Sequence, residues 1–317
     1  MRLIGLAVIL AVSLSLAPPP AASTPRIGVL GPTPMNPLND VAFKQGLAQF
    51  GYTEGRNLVI EYRHAEGRLL SDLAAQLVRL NVDVIFARGA AAVAAAKVAT
   101  GTIPVVAVDL ESDPVAAGFV RGLAQPGGNI TGVFLDLPEL SGKQLQLLKE
   151  LLPQLFRVAV LGDPVLNAPQ FRATEIAAGA LAMAIQRQEV RAAKDFNSAL
   201  EATRNGRARA ALLLSSPLVF NHRTQLGALA VEKRLAAVSM FVEFAEAGGL
   251  MAYGPSLREA FRRCGAYVGR ILQGAKPGEL PVERPERFEF AINLKTAKVL
   301  GITVPHSLLL RADQVIE

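Results

Sequence analysis

The sequence predicts an α/β protein made of two similar Rossmann-like lobes, each a parallel sheet covered by helices, joined by a three-segment hinge. Three observations carry this expectation. From Arg26 onward short β-branched runs alternate with longer helix-periodic stretches, the pattern of parallel sheets built from right-handed crossovers. The opening Arg26-Ile-Gly-Val-Leu-Gly31 returns as Arg157-Val-Ala-Val-Leu-Gly162, each followed by a loop rich in Pro and Asn. Finally, 317 residues exceed the usual length of one domain.

The first segment sets the compartment. Met1-Arg2 is a short positive start, Leu3–Leu16 is apolar or small throughout, Pro18-Pro19-Pro20 stops any helix, and Ala21-Ala22-Ser23 offers small residues for cleavage. That layout is a secretory signal peptide over residues 1–23. It falls short of the ~20 apolar residues needed to span a bilayer, so the mature chain is expected in the periplasm, beginning near Thr24.

Strands are expected at Arg26–Leu30, Asn57–Tyr62, Val82–Ala87, Ile103–Val108 and Ile130–Phe134, with helices across Phe43–Phe50 and Leu69–Leu80. Val82–Ala87 is a nearly continuous apolar run, as for a strand buried on both faces. In the second half Ala210–Leu214 is the counterpart of Val82–Ala87, and Ala236–Met240 that of Ile103–Val108. A helix is expected over Ser256–Gln273, a strand over Phe288–Leu294, and a short helix over Lys295–Leu300 that Gly301 ends. The chain would cross between lobes near Phe134–Pro138, Gly249–Pro255 and Arg284–Asn293. The expected division is therefore 24–135 with 254–285 in lobe one, and 136–253 with 286–317 in lobe two.

Composition removes several classes. A single cysteine, Cys264, excludes an internal disulfide and cysteine-based metal centres, and three scattered histidines argue against a metal site. No P-loop, dinucleotide fingerprint or nucleophile elbow is present, so no cofactor is expected. The net charge of +6 resides in clusters such as Arg204–Arg209 and Arg258, Arg262, Arg263 and Arg270, which read as solvated faces. No nucleic-acid reading motif accompanies them. Asp109, Glu111 and Asp113 form a dense acidic cluster that could serve acid–base work, but Asp113-Pro114 equally reads as a helix start.

What remains is binding. In open α/β sheets ligands lie outside the carboxyl ends of strands, and two such lobes would face one another across a cleft. The loops expected there carry Thr33, Asn36, Gly89, Ala90 and Asp113 from the first lobe, and Asn167, Ser216 and Phe241 from the second, with Asp136 at a crossing. Helix N-termini among these loops favour an anionic group such as a carboxylate. For Thr33, Asn167 and Ser216 a capping role is an equal alternative.

Several stretches together resemble a known family: Phe43-Lys-Gln-Gly-Leu, Gly51-Tyr-Thr-Glu-Gly-Arg-Asn-Leu-Val-Ile-Glu-Tyr-Arg63, Gln125-Pro-Gly-Gly-Asn-Ile-Thr-Gly132, Ala247-Gly-Gly-Leu-Met-Ala-Tyr-Gly254 and Ile292-Asn-Leu-Lys-Thr-Ala297. Along essentially its whole length the chain is similar to substrate-binding proteins of bacterial ABC transporters, in the group related to tryptophan- and other amino-acid-binding members. The resemblance implies a type I periplasmic-binding-protein fold, no enzymatic activity, and capture of a small molecule, an amino acid or related small carboxylate, between closing lobes. It also implies docking of a monomer on an inner-membrane permease served by an ATPase. Two departures fall near the expected cleft: Arg88 stands where relatives carry a small polar residue, and Asp163-Pro164 where many have Asn-Pro. Pointing inward, Arg88 would suit a carboxylate; pointing outward, it is a solvated surface group. Two alternatives stay open, an exported sensor of the same fold and an exported enzyme using Asp109–Asp113.

Overall fold

A computed structural model of the protein describes residues 24–135 and 138–317. The expected signal peptide and Asp136 lie outside the described residues. The first half runs β1 (Arg26–Gly31), α1 (Pro37–Ala48), β2 (Val59–His64), α2 (Leu70–Arg79), β3 (Val84–Arg88), α3 (Ala90–Ala99), β4 (Val105–Asp109) and β5 (Ile130–Phe134). The second runs α4 (Pro138–Leu151), β6 (Arg157–Gly162), α5 (Ala168–Ala180), β7 (Ala184–Glu189), α6 (Phe196–Asn205), β8 (Ala210–Leu213), α7 (Pro217–Asn221), α8 (Arg223–Glu232), β9 (Ala236–Ser239), α9 (Val242–Glu246) and β10 (Met251–Pro255). The chain then returns through α10 (Leu257–Leu272) before β11 (Phe288–Asn293), α11 (Leu294–Leu300), α12 (His306–Leu309) and β12 (Gln314–Ile316).

The strands form two sheets, ordered β2-β1-β3-β4-β5 and β12-β11-β10-β9-β8-β6-β7. Counted from each half's first strand, both follow the order 2-1-3-4-5, so the echo between Arg26–Gly31 and Arg157–Gly162 reflects two halves of one design. The first sheet is parallel throughout. The second departs from the expected all-parallel sheet, because β11 pairs antiparallel with β10. The cause is the route of the chain: β10 leaves toward the first lobe, α10 packs there, and β11 re-enters the second sheet from the opposite direction.

Alternation along buried strands feeds two cores per sheet. Val84 and Phe86 of β3 face α1 and α10 with Phe43, Phe261 and Tyr267, whereas Ile85 and Ala87 face α2 and α3 with Leu73 and Val93. In the second sheet Leu212 of β8 packs with Leu145 and Phe171 under α4 and α5, and Leu213 packs with Phe196 and Leu226 under α6 and α8. The α1–α10 contact is unusually close. A Cβ at Gly265 would collide with the Phe43 carbonyl, and one at Gly46 with the Arg262 carbonyl.

The segments on either side of the crossings are held by short backbone pairings. Glu283 bridges to Val133, with the Phe134 amide donating to the Glu283 carbonyl at 2.9 Å, and the Ser256 amide donates to the Arg287 carbonyl at 2.9 Å. Met240 and Phe241, which follow β9, join the apolar cluster under α1 and α10. Three of the four arginines of α10 are paired with acids, Arg262 with Glu259, Arg263 with Glu283 and Arg258 with Glu246 of α9 at 3.2 Å, and Arg270 lies over the Tyr267 ring.

Candidate functional site

The carboxyl ends of both sheets meet around a cavity of about 240 Å³. From the first half it is bounded by the loop after β1, the end of β3 and the end of β4; from the second, by the loops after β8 and β9. The 2-1-3 strand order places the ends of β1 and β3 on either side of the sheet's switch point, where ligands enter folds of this class. Among the described residues, side-chain hydrogen bonds cross the cleft: the Thr33 hydroxyl donates to Asn221 Oδ1 at 3.5 Å, and the Ser215 hydroxyl donates to Glu111 Oε1 at 3.4 Å.

The apolar walls are Val108 and Leu110, Leu257 and Phe261 of α10, and an edge-on pair formed by Phe220 and Phe241, whose ring centroids are 5.6 Å apart. Three ionisable side chains line the cavity: Arg88, Glu111 and Arg223. The Arg88 guanidinium lies over the end of β1 and donates to the Thr33 carbonyl. It fits there because residue 31 is glycine; a Cβ at that position would overlap the guanidinium. Burial lowers the Arg88 pKa to about 10. Its Nε has no hydrogen-bond partner among the described residues, and neither has Oδ1 of Asn39, a buried side chain on the same cavity wall.

On the same cavity lining, Glu111 is pushed up to about 8, first by burial and then by the neighbouring Asp109 carboxyl. Asp109 is fully buried and raised for the same leading reason, desolvation, although its Oδ1 accepts from the Glu111 amide at 3.1 Å. Two carboxyls this close in a dry setting share a proton rather than ionise together. Arg223, from the second half, holds its guanidinium 4.8 Å from the centroid of the Phe220 ring and donates from Nη1 to the Phe220 carbonyl at 2.9 Å.

The cavity gathers Thr33, Asn36, Gly89, Ser216 and Phe241 from the loops singled out in the sequence. Asn36 also caps α1, accepting from the Leu38 amide at 2.9 Å, and Ser216 caps α7, accepting from Val219 at 3.1 Å. Gly89 takes a φ of +81°, a backbone region natural to glycine, and opens α3 directly from the end of β3. Ala90 is the first residue of α3 and stands behind Gly89, away from the lining. Asp113 is exposed, and its Oδ1 accepts from the amides of Val115 at 2.8 Å and Ala116 at 3.2 Å, a capping arrangement outside the cavity. Asn167 is fully buried off the lining. It accepts from the Asp163 amide at 2.8 Å and donates to the Ser215 carbonyl at 2.6 Å, tying the loop after β6 to the one that carries Ser216.

Sequence reasoning left Asn39, Asn221 and Arg223 unnamed and treated Glu111 as part of an acidic cluster. The spacing of Asn39 three residues after Asn36, in the first turn of α1, was the available signal for one of them. Among the described residues no group of three His, Cys, Asp or Glu side chains could hold a metal ion, and no helix is long and apolar enough to cross a membrane.

Two α/β lobes closing strand-end loops around a small cavity define a type I periplasmic-binding-protein fold. Residues 38–316 match the family described as ABC transporter substrate binding protein, and the chain belongs to it. A conserved domain protein of Vibrio cholerae is 27% identical, with a TM-score of 0.83, covering 92% of this chain and 99% of that one. A Streptococcus pneumoniae ABC domain solved in complex with L-Trp is 25% identical, also with a TM-score of 0.83, over 93% of this chain and all of its own, 100%. A tyrosine-binding protein of Clostridioides difficile is 24% identical over 266 residues, 82% of this chain and 75% of that protein. The chain is thus a solute-binding protein of the ABC transport type.

Proposed function

We propose that the protein captures a small organic solute, an amino acid or related small carboxylate, between its two lobes outside the cytoplasmic membrane and delivers it, as a monomer, to an inner-membrane permease with its ATPase. The single observation carrying this reading is a cavity walled from both halves by strand-end loops that combine aromatic faces, guanidinium groups and a carboxyl. Few convergent polar groups in an otherwise apolar pocket are what small-molecule sites require. The L-Trp complex of the pneumococcal relative and the naming of the clostridial one support an amino-acid-sized ligand.

The moving bodies in this reading are 24–135 with 254–285 and 136–253 with 286–317. Closure is a shift between two states, driven by the ligand's greater affinity for the closed form. In this reading binding proceeds without turnover: Asp109 and Glu111 adjoin the cavity and Glu111 accepts from the Ser215 hydroxyl, but among the described residues no histidine lines the cavity to complete an acid–base set. Residues 1–23 would direct export and be removed near Thr24.

Thermal-shift screening against a broad panel of amino acids and small carboxylates tests the reading. A true ligand at 100 times its dissociation constant adds about 2.7 kcal/mol. A panel with no stabilising compound would overturn solute capture, and an N-terminus at Met1 on exported protein would overturn the cleavage site.

A further inference from the structure

We infer that the protein carries, at the end of its second sheet remote from the cleft, a basic face that holds it against an anionic lipid surface. The strands β6, β8 and β9 are parallel neighbours, so their amino ends lie side by side. The connections entering them read Leu152-Pro-Gln-Leu-Phe-Arg157, Gly206-Arg-Ala-Arg209 and Lys233-Arg-Leu235, without one acidic residue. Local bonds hold the three together. Arg157 Nη1 donates to the Gly206 carbonyl at 2.7 Å, and the Ala236 amide donates to the Arg209 carbonyl at 3.0 Å. The cavity is bounded by the loops at the opposite, carboxyl ends of β8 and β9, so the two surfaces do not overlap.

The charge on this face is not balanced. Arg204, Arg207, Arg209 and Arg234 are exposed, and none forms an ion pair among the described residues. The carboxylates on the flanking helix ends are already engaged: Glu201 and Glu232 with Lys233, at 2.8 and 3.0 Å, and Glu150 with Arg311 at 2.6 Å. Glu201 lies in the field of Arg204 as well. Setting Glu201 and Glu232 in full against Arg157, Lys233 and the four exposed arginines still leaves four positive charges in surplus, in a chain whose net charge is +6.

Two of these arginines stand where glycine is the usual choice. Arg207 and Arg234 follow the ends of α6 and α8 and take φ values of +63° and +56°, a left-handed conformation that closes a helix and that a side chain disfavours. A cation near a helix C-terminus is favourable in itself, but Arg204 and Lys233 already supply one to each helix. Among the described residues neither Arg207 nor Arg234 gains an ion pair for that strain, which points to a partner outside the chain.

Phe156, 62% exposed just before β6, adds an aromatic ring beside the arginines. Guanidiniums next to an exposed aromatic suit the surface of a bilayer, where the charges meet phosphate groups and the ring enters the headgroup layer. A leaflet offers negative charge across a plane, which matches a face spread over three strand ends. Held this way, the protein keeps the cavity ends of β8 and β9 turned away from the lipid.

Co-sedimentation with vesicles tests the inference, using protein that begins at Thr24 so that residues 1–23 cannot insert. Vesicles of phosphatidylcholine alone are compared with vesicles holding about 30% phosphatidylglycerol, at about 50 and about 300 mM salt. Binding should require phosphatidylglycerol and weaken at least ~10-fold at the higher salt. Arg207→Gly with Arg234→Gly removes two charges and relieves both left-handed residues, so the melting temperature should hold or rise while vesicle affinity falls ~10-fold or more. Arg207→Lys with Arg234→Lys should keep most of the affinity. Equal binding to both vesicle types, undiminished binding by the glycine pair, or no binding to the anionic vesicles at low salt would overturn the inference. Displacement by ~10 mM inorganic phosphate at constant ionic strength would assign the face to a free anion and equally overturn it. Each of these results leaves solute capture standing, which the thermal-shift panel tests separately.

Discussion

Glu111→Gln isolates the electrostatic strain that the cleft carries without ligand. In the unfolded chain a glutamate titrates near 4.5, and in the folded protein Glu111 titrates near 8. Between those values the folded state holds a proton that the unfolded state has lost, so stability falls as pH rises from 4.5 to 8 and stays low above it. At 1.36 kcal/mol per pH unit the separation sets a ceiling of about 5 kcal/mol. Because Glu111 borders an open cavity and relaxes with Asp109, about 2 kcal/mol is the working expectation. Glutamine preserves the shape and the acceptor for Ser215 but never ionises. The variant should therefore match the wild type near pH 5 and exceed it at pH 9, by roughly 4 °C in melting temperature at ~2 °C per kcal/mol for a chain of this size. Parallel melts of the two proteins at pH 5 and pH 9 measure this directly. Equal shifts at the two pH values would refute the reasoning, because Glu111 would then titrate alike folded and unfolded.

Gly265→Val forces a branched side chain into the Phe43 carbonyl across the α1–α10 contact; overpacking should cost about 3 kcal/mol in urea unfolding, with a loss below about 0.5 kcal/mol arguing against the close approach. Asn167→Ala strands the Asp163 amide and the Ser215 carbonyl and should cost about 2 kcal/mol, read as a lower melting temperature together with weaker ligand binding through the displaced Ser216. Cys264 is fully buried beside the Ala107 carbonyl, and burial pushes its thiol up, so a thiol reagent at pH 8 should label it only on the timescale of unfolding; rapid native labelling would contradict that placement. Tyr267→Phe removes a hydroxyl shared between the Pro281 carbonyl and the Glu283 carboxylate, the latter at 2.9 Å, and should lower stability by about 1 kcal/mol.

The buried architecture was legible because burial on two faces writes itself as uninterrupted apolar runs. Val82–Ala87 and Ala210–Leu214 were placed within two residues of β3 and β8 for that reason. The edge strand β7 was not, since Ala-Ile-Gln-Arg-Gln-Glu over 184–189 is only partly covered and keeps polar side chains along its length. Its one strong packing signal, Arg187 laid 4.1 Å from the centroid of the Phe171 ring, joins positions that no local window connects. The duplication was legible too, but it misled at Asn167. Treating that residue as the counterpart of Asn36 assumes that equivalent loops face the cleft equally. The second cavity wall is instead built from the loops after β8 and β9, and Asn167 acts beneath them.

Arg88 shows why a site is harder to read than a fold. Its direction is decided by Gly31, which leaves room for the guanidinium, and by the Thr33 carbonyl that accepts its hydrogen bond. Neither fact is visible in Ala87-Arg88-Gly89 alone. A strand's burial is a property of its own residues, whereas the aim of a long side chain at a strand end is a property of its neighbours in other strands. Arg223 is hidden in the same way, as the first residue of α8 and one of many arginines in a chain of net charge +6. Its place in the cavity wall is set by Phe220, whose ring it lies against and whose carbonyl accepts from it, a pairing that only the folded corner between α7 and α8 brings to the cleft.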